Sequence, residues 1–377
     1  MLAETALIRI IRCVLNHEYP LVVTGKEDWQ SIIQVAQKHG LLTYVYYYAK
    51  GLDPDSRPDQ ELSALLGQRY AAEVRRDILQ LHAIEQMKSE FDRSGIDNLF
   101  FKGSVTKTRY GNEMLRSMGD IDFLYKAEQD AALKDTMKRL GFQYVSNGRV
   151  HDIYTRDPWV VAEAHRELLS PRSRYAAFAK NIWKRARLIP NYRHNYEMQI
   201  EDEILFNMIH LASHFKKGGA GIRFIVDVWV YAQQEADWNY IESELQRLGL
   251  DQFYRNVSLL ADRWFGEAEC ETPVVTAMED YILTGGIFGL KKNRDDSVIA
   301  GGRLPYLKRV LFPSFKDMQS MFPWLKHKWF LPCAWIVRII ESLIKRKDNV
   351  NVLLQPFYHG DKQNASALAA FYNSCGL

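Results

Sequence analysis

Phe101-Lys102-Gly103-Ser104 ends a short apolar run, and Gly119-Asp120-Ile121-Asp122-Phe123 follows after a gap. A glycine at a strand end lets backbone N–H groups approach a phosphate closely. Carboxylates two residues apart on a strand project to the same face, where they can hold a divalent cation. The chemistry these residue types suit is nucleotidyl transfer, which needs metal-bridged phosphates and a nucleophile deprotonated close to the α-phosphorus. Almost nothing else in the 377 residues points to a chemistry.

Asp120 and Asp122 form the first acidic pair, and a third acid is expected from a neighbouring strand. Glu163 is the best candidate: it alternates with Ala162 and Ala164, small residues that suit a packed strand, and shares its face with Val161 and His165. His165 can orient a carboxylate or the acceptor. Gly103 and Ser104 are expected to meet a triphosphate, with Lys102 or Lys107 as counter-charge. Arg116, four residues before the acidic pair, is expected to reach a phosphate as a bidentate donor. The metal is expected at Asp120, Asp122 and Glu163, as Mg2+ or Mn2+. The competing reading is a solvated acidic strand end, since Asp-x-Asp pairs also arise by chance.

Other residues carry chemistry less directly. His210 and His214 lie four residues apart on a helical pattern. They read as a packed histidine pair, as acceptor or base recognition beside the site, or as part of a zinc site lacking an obvious third ligand. Lys216-Lys217-Gly218-Gly219-Ala220-Gly221 reads as a helix end and a new helix start, with a phosphate contact as the alternative. Arg223 just beyond it is the residue to test first. The tyrosines Tyr44, Tyr46, Tyr47 and Tyr48 lack interleaved basic residues and read as helix core and rim rather than a base-stacking platform. Thr284-Gly285-Gly286-Ile287-Phe288-Gly289 lacks the Lys-Ser/Thr of a phosphate-binding loop and reads as a termination loop.

The elements that must position these residues can be read from periodicity. Apolar spacing predicts helices over 3–16, 27–50 and 59–94, the last closed by Gly95. Strands are expected at Ile96–Lys102, Asp120–Tyr125, Phe142–Ser146, Val150–Thr155 and Trp159–Glu167. A helix over Glu128–Leu140 lies among them, and Asp157-Pro158 makes a turn. Helical patterns follow near 174–187, 200–216, 221–235, 237–248, 251–265 and 272–285, then a loop over 286–304. A proline-punctuated tail ends in an amphipathic helix near 334–346, which reads as docked on the protein body or, alternatively, as lying on a membrane surface. The expected units are a helical region over 1–95, a small core over 96–170, a helical domain over 171–300 and the tail over 301–377.

Composition sets the class. A hydrophobic fraction of 47% with 25% charged residues is ordinary for a globular chain. A net charge of +3 is too small to argue for a nucleic-acid partner. The four cysteines (Cys13, Cys270, Cys333 and Cys375) are far apart, which argues against a zinc cluster or a disulfide framework and suits a cytoplasmic location. No signal peptide and no spanning segment are expected.

Gly103-Ser104 with Asp120-Ile121-Asp122 resembles the signature of the nucleotidyltransferase superfamily typified by the core of DNA polymerase beta. The chain is more closely similar to the uncharacterised bacterial nucleotidyltransferase family labelled type 5. The segments that carry this are Phe100–Gly103, Tyr110, Arg116–Asp122, Ala162–His165, His210–His214 and Gly221–Asp227, with Leu311–Pro313 and Leu331–Trp335 in the tail. Residues 105–119 make the spacing to the acidic pair longer than in many superfamily members. The resemblance implies an α+β fold, a small mixed-sheet core flanked by helical N- and C-terminal regions, with a metal-dependent transfer site at Asp120, Asp122 and Glu163. The expected reaction moves AMP from ATP to an unidentified acceptor. The alternatives are a catalytically inactive nucleotide- or partner-binding module, or a kinase-type phosphoryl transferase using the same site.

Overall fold

The computed structural model describes residues 2–18, 28–147, 151–268, 271–285, 303–322, 324–345 and 362–377. Four helices open the chain: α1 (Leu2–Leu15), α2 (Trp29–His39), α3 (Leu42–Gly51) and α4 (Gln60–Arg93). The helical pattern over 27–50 resolves into two helices because Gly40 adopts a left-handed conformation (φ 68°), capping α2 through N–H bonds to Ala36 and Gln37 carbonyls. Asp59 caps α4 by accepting from the Leu62 N–H.

A mixed seven-stranded sheet follows, ordered β3-β4-β5-β2-β1-β7-β6. Its strands are β1 (Asn98–Phe101), β2 (Ile121–Tyr125), β3 (Gln143–Asn147), β4 (His151–Arg156), β5 (Val160–His165), β6 (Arg187–Leu188) and β7 (Asn195–Glu197). The first five match the expected strands; β6 and β7, two and three residues long, are too short to show alternation. Helix α5 (Gly103–Thr106) follows β1, and α6 (Asp130–Arg139) connects β2 to β3.

The short α7 (Ala176–Lys180) and α8 (Ile182–Arg185) lead into five longer helices. These are α9 (Ile200–Lys216), α10 (Ile222–Ala232), α11 (Trp238–Leu248), α12 (Asp251–Phe265) and α13 (Pro273–Thr284). The fold is thus α+β, a mixed sheet flanked by helices on both sides in sequence.

Two apolar cores divide the work of positioning. One lies between a face of the sheet and helices α4 and α6, joining Phe91, Phe100, Phe123, Ala162, Ala164 and Met137. Period-two alternation puts Asp122, Glu163 and His165 on the opposite face of β2 and β5. The other, larger core combines α1–α3 with α9–α13, and α9 and α10 from it stand over the acidic strands.

In the tail, helices Arg303–Leu311, Phe315–Met321, Leu331–Lys345 and Lys362–Cys375 are described. The helix expected near 334–346 begins at Leu331, and Ile336 and Ile340 on it are exposed. Arg346, Lys347, Cys270 and most of the expected 286–304 loop lie outside the described residues.

Candidate functional site

β2 runs antiparallel to β1 and parallel to β5, so Asp122 has Phe101 on one side and Glu163 on the other. Ala162 and Ala164 are fully buried in the core beneath, so the sheet face they leave carries Glu163 and His165. β1 ends at Lys102, whose backbone takes φ 57°, ψ −131°, a conformation that glycine adopts freely and lysine does not. That turn swings the chain into α5 and brings the Lys102 side chain back over β2. Gly103 has an ordinary φ; its missing side chain matters because a Cβ there would meet Met118 Cγ at 3.2 Å. The Ser104 hydroxyl donates to the Phe101 carbonyl at 2.9 Å and so ties α5 to the end of β1.

Asp122 is 1% exposed and is met by two cations. Lys102 Nζ lies 2.5 Å from Oδ1, and His165 Nε2 lies 2.9 Å from the same oxygen. Burial opposes its charge, but the His165 hydrogen bond and Lys102 together hold its carboxyl below the usual range. Asp120 differs. Its carboxyl is pushed up to about 6 by burial, then by the charges of Asp122 and Glu163. It forms no ion pair among the described residues, and the nearby Lys102 charge, paired with Asp122, offsets the crowding only in part.

His165 links the carboxylates. Its Nε2 also lies 3.3 Å from Glu163 Oε2, so that nitrogen carries the proton for both acids. Burial opposes protonation of the ring, yet the bonds to Asp122 and Glu163 raise its pKa above the ordinary histidine value. His151, paired with His165 across β4 and β5, places Nε2 at 3.6 Å from Glu163 Oε1. Burial lowers its pKa, leaving it a neutral imidazole at pH 7. The ligand atoms of His151, Glu163 and His165 lie within 4.8 Å of one another, a possible acidic and histidine metal site. A carboxylate with two imidazoles suits Mn2+ or Zn2+, whereas the neighbouring carboxylates Asp120 and Asp122 suit Mg2+.

Beside this face lies a cavity of about 510 Å³. Lys102, Gly103, Asp120 and Asp122 line one wall; Asn207, His210 and His214 of α9 and Arg223 of α10 line the other, and Arg76 of α4 contributes to the rim. Eight of the eleven residues singled out from sequence line this cavity; Glu163 and His165 belong to the strand beside Asp122, outside the lining, and Ser104 is outside it too, bonded to the end of β1.

Arg116 is one of the eight, but in another role than expected. Its guanidinium donates Nε to Asp227 Oδ1 at 2.7 Å and Nη2 to Oδ2 at 2.9 Å, while Nη1 donates to the Ser117 carbonyl at 2.7 Å. Tyr110 donates its hydroxyl to Asp227 Oδ1 at 2.6 Å. The fork expected to grip a phosphate therefore clamps the loop before β2 to α10. Lys107 is likewise engaged, fully buried in an ion pair with Asp77.

His210 and His214 face each other with Nε2 atoms 3.0 Å apart, so one donates and the other accepts. Burial drives both pKa values down, His214 to about 4, and keeps the pair neutral. No third metal ligand joins them among the described residues. Sequence reading missed His151, Asn207 and Arg76. His151 was open to detection, since a β4–β5 hairpin around Asp157-Pro158 sets it opposite His165; Asn207 and Arg76 carry no local signal.

No curated protein and no solved structure matches the chain. The family model described as uncharacterised nucleotidyltransferase matches residues 25–266, which takes in the sheet, both walls of the cavity and every candidate site residue. With most of its length inside that match, the chain belongs to this uncharacterised nucleotidyltransferase family.

Proposed function

We propose that the protein transfers a nucleoside monophosphate, AMP from ATP, to an acceptor bound in the cavity. The observation that carries this reading is the acidic face, where burial and then the charges of Asp122 and Glu163 raise Asp120 to about 6 and no ion pair holds it. Such crowding of like charge is relieved by a divalent cation. Asp120, Asp122 and Glu163 would hold Mg2+ or Mn2+, with His151 and His165 available to the same ion from β4 and β5. The ion would supply charge stabilisation at the phosphates when bound.

The chain's own groups supply the rest. The Gly103 backbone offers close approach beside the acids, and Lys102 can turn from Asp122 toward a phosphate oxygen. Glu163 would take the acceptor's proton on the oxygen not held by His165, whose Nε2 at 3.3 Å from Oε2 orients the carboxylate. One observation favours a second reading. The Lys102–Asp122 contact at 2.5 Å resembles a site filled by its own ammonium, as expected of an inactive nucleotide-binding module.

The test is incubation with ATP labelled at the α-phosphate, Mg2+ and a small-metabolite extract. The expected result is labelled product with pyrophosphate release in the wild type and about a hundredfold less in Asp120→Asn/Asp122→Asn. Full labelling by that double variant would remove the assignment. Nucleotide binding that ignores Mg2+, with no product over hours, would favour the module.

A further inference from the structure

The wall of the cavity opposite the acids has unmet needs of its own. Arg223 lines the cavity from the first turn of α10, its Nε is buried without a hydrogen-bond partner, and its guanidinium meets no carboxylate among the described residues. Its nearest acid in sequence terms, Asp227, is already clamped by Arg116 and Tyr110. A half-buried guanidinium whose Nε is sealed from water without an acceptor is unfavourable unless a ligand supplies one. Burial and then the Arg116 charge pull its pKa down to about 10, against the opposing pull of Asp227 and Asp120, neither of which forms an ion pair with it.

Asn207, two turns from the start of α9, has a buried Oδ1 that also lacks a partner. It calls for a donor, an O–H or N–H. His210 and His214 between these residues are neutral and satisfy each other at 3.0 Å, so they contribute shape and polarity without charge. The cavity is therefore polarised: carboxylates on the sheet side, an unanswered guanidinium on the helix side.

We propose that the helix side of the cavity binds a small anionic acceptor, its phosphate or carboxylate on Arg223 and a hydroxyl or amine donating to Asn207. The metal-bridged nucleotide belongs to the acidic side, so an anion on the opposite side is a second ligand whose nucleophile faces Asp120 and Asp122. Naming that ligand an acceptor rests on the nucleotidyl-transfer reading; the anion site itself does not. A cavity of about 510 Å³ has the size of a small-molecule site.

Calorimetry with the full chain, without ATP or metal, tests the site directly. Inorganic phosphate and succinate are the two probes, and whichever binds more tightly identifies the anionic group. Binding is expected in the wild type and in Asp120→Asn, weakened about tenfold or more in Arg223→Met and partly recovered in Arg223→Lys. Arg223→Met is also expected to melt higher than the wild type, because it removes an unpaired buried charge. Should Arg223→Met not fold, Arg223→Lys against wild type carries the comparison, with a loss of the bidentate contact expected.

Absence of binding by either probe at about 10 mM, or equal binding in Arg223→Met and wild type, overturns the proposal. A non-hydrolysable ATP analogue with Mg2+ completes the test. Retention of the probe supports an acceptor subsite, whereas stoichiometric displacement assigns Arg223 to the triphosphate and overturns it. Because anion binding is read without turnover, a failed transfer assay and a failed anion site are separate results.

Discussion

The Lys102 ammonium lies 2.5 Å from Asp122 Oδ1, on a backbone turn that lysine adopts only under strain. The side chain balances a carboxylate that is 1% exposed, in the place where an incoming divalent cation would do the same. On the proposed metal site, lysine and ion would compete for one oxygen, and filling the site would require the ammonium to move.

Lys102→Met removes that competitor. Mn2+ affinity, followed by calorimetry, is expected to rise about tenfold, because the ion no longer displaces an ammonium. Stability without metal is expected to fall by about 2–3 kcal/mol, since Asp122 keeps only His165 as a partner. Unchanged Mn2+ affinity would show that the ion binds elsewhere.

Asp120 makes a pH-dependent contribution of definite sign. Its folded carboxyl is raised from 3.8 to about 6, so the folded state holds the proton more tightly than the unfolded chain. The stability this provides is full below pH 3.8 and is lost as pH rises through 6. Asp120→Asn abolishes that loss. The variant is expected to gain about 1–2 kcal/mol over wild type at pH 7.5 and to gain nothing at pH 4. Urea unfolding at the two pH values measures this difference; equal gains at both would contradict the charge crowding.

The histidine pair works in the opposite direction. His214 is lowered from 6.5 to about 4 by burial, so the unfolded chain binds the proton more readily. Stability is full above pH 6.5 and is lost as pH falls toward 4. His214→Gln, which keeps a hydrogen-bonding group beside His210, is expected to flatten this dependence by about 2 kcal/mol between pH 7 and pH 4.5. A stability profile parallel to wild type over that range would place the proton uptake on another group.

Local sequence patterns were sufficient where one element carried the whole signal. Alternation in Asp120–Tyr125 and in Trp159–Glu167 put the acids on one face, and β2 and β5 pair in the register that makes them neighbours. Length defeated the same reading at β6 and β7, which hold their place through β7's pairing with β1 rather than through any pattern of their own. Partner choice was the other limit. Arg116 and Asp227 are 111 residues apart, and nothing near either one announces that their charges cancel. Arg223, by contrast, shows its meaning only after that pairing is known, because the pairing is what leaves it unanswered.

The larger core has a consequence for how the chain is made. Leu7 and Ile11 of α1 pack in the same cluster as Val257 and Leu260 of α12, and Asn16 donates to the Phe265 carbonyl at 2.7 Å across 249 residues of sequence. During synthesis α1 can pack on α2 and α3 as soon as they emerge, but the part of its face that meets α12 has its partner still untranslated. That part of the larger core closes only when α12 arrives, late in synthesis, so the seam between the two ends of the chain is the last of it to form.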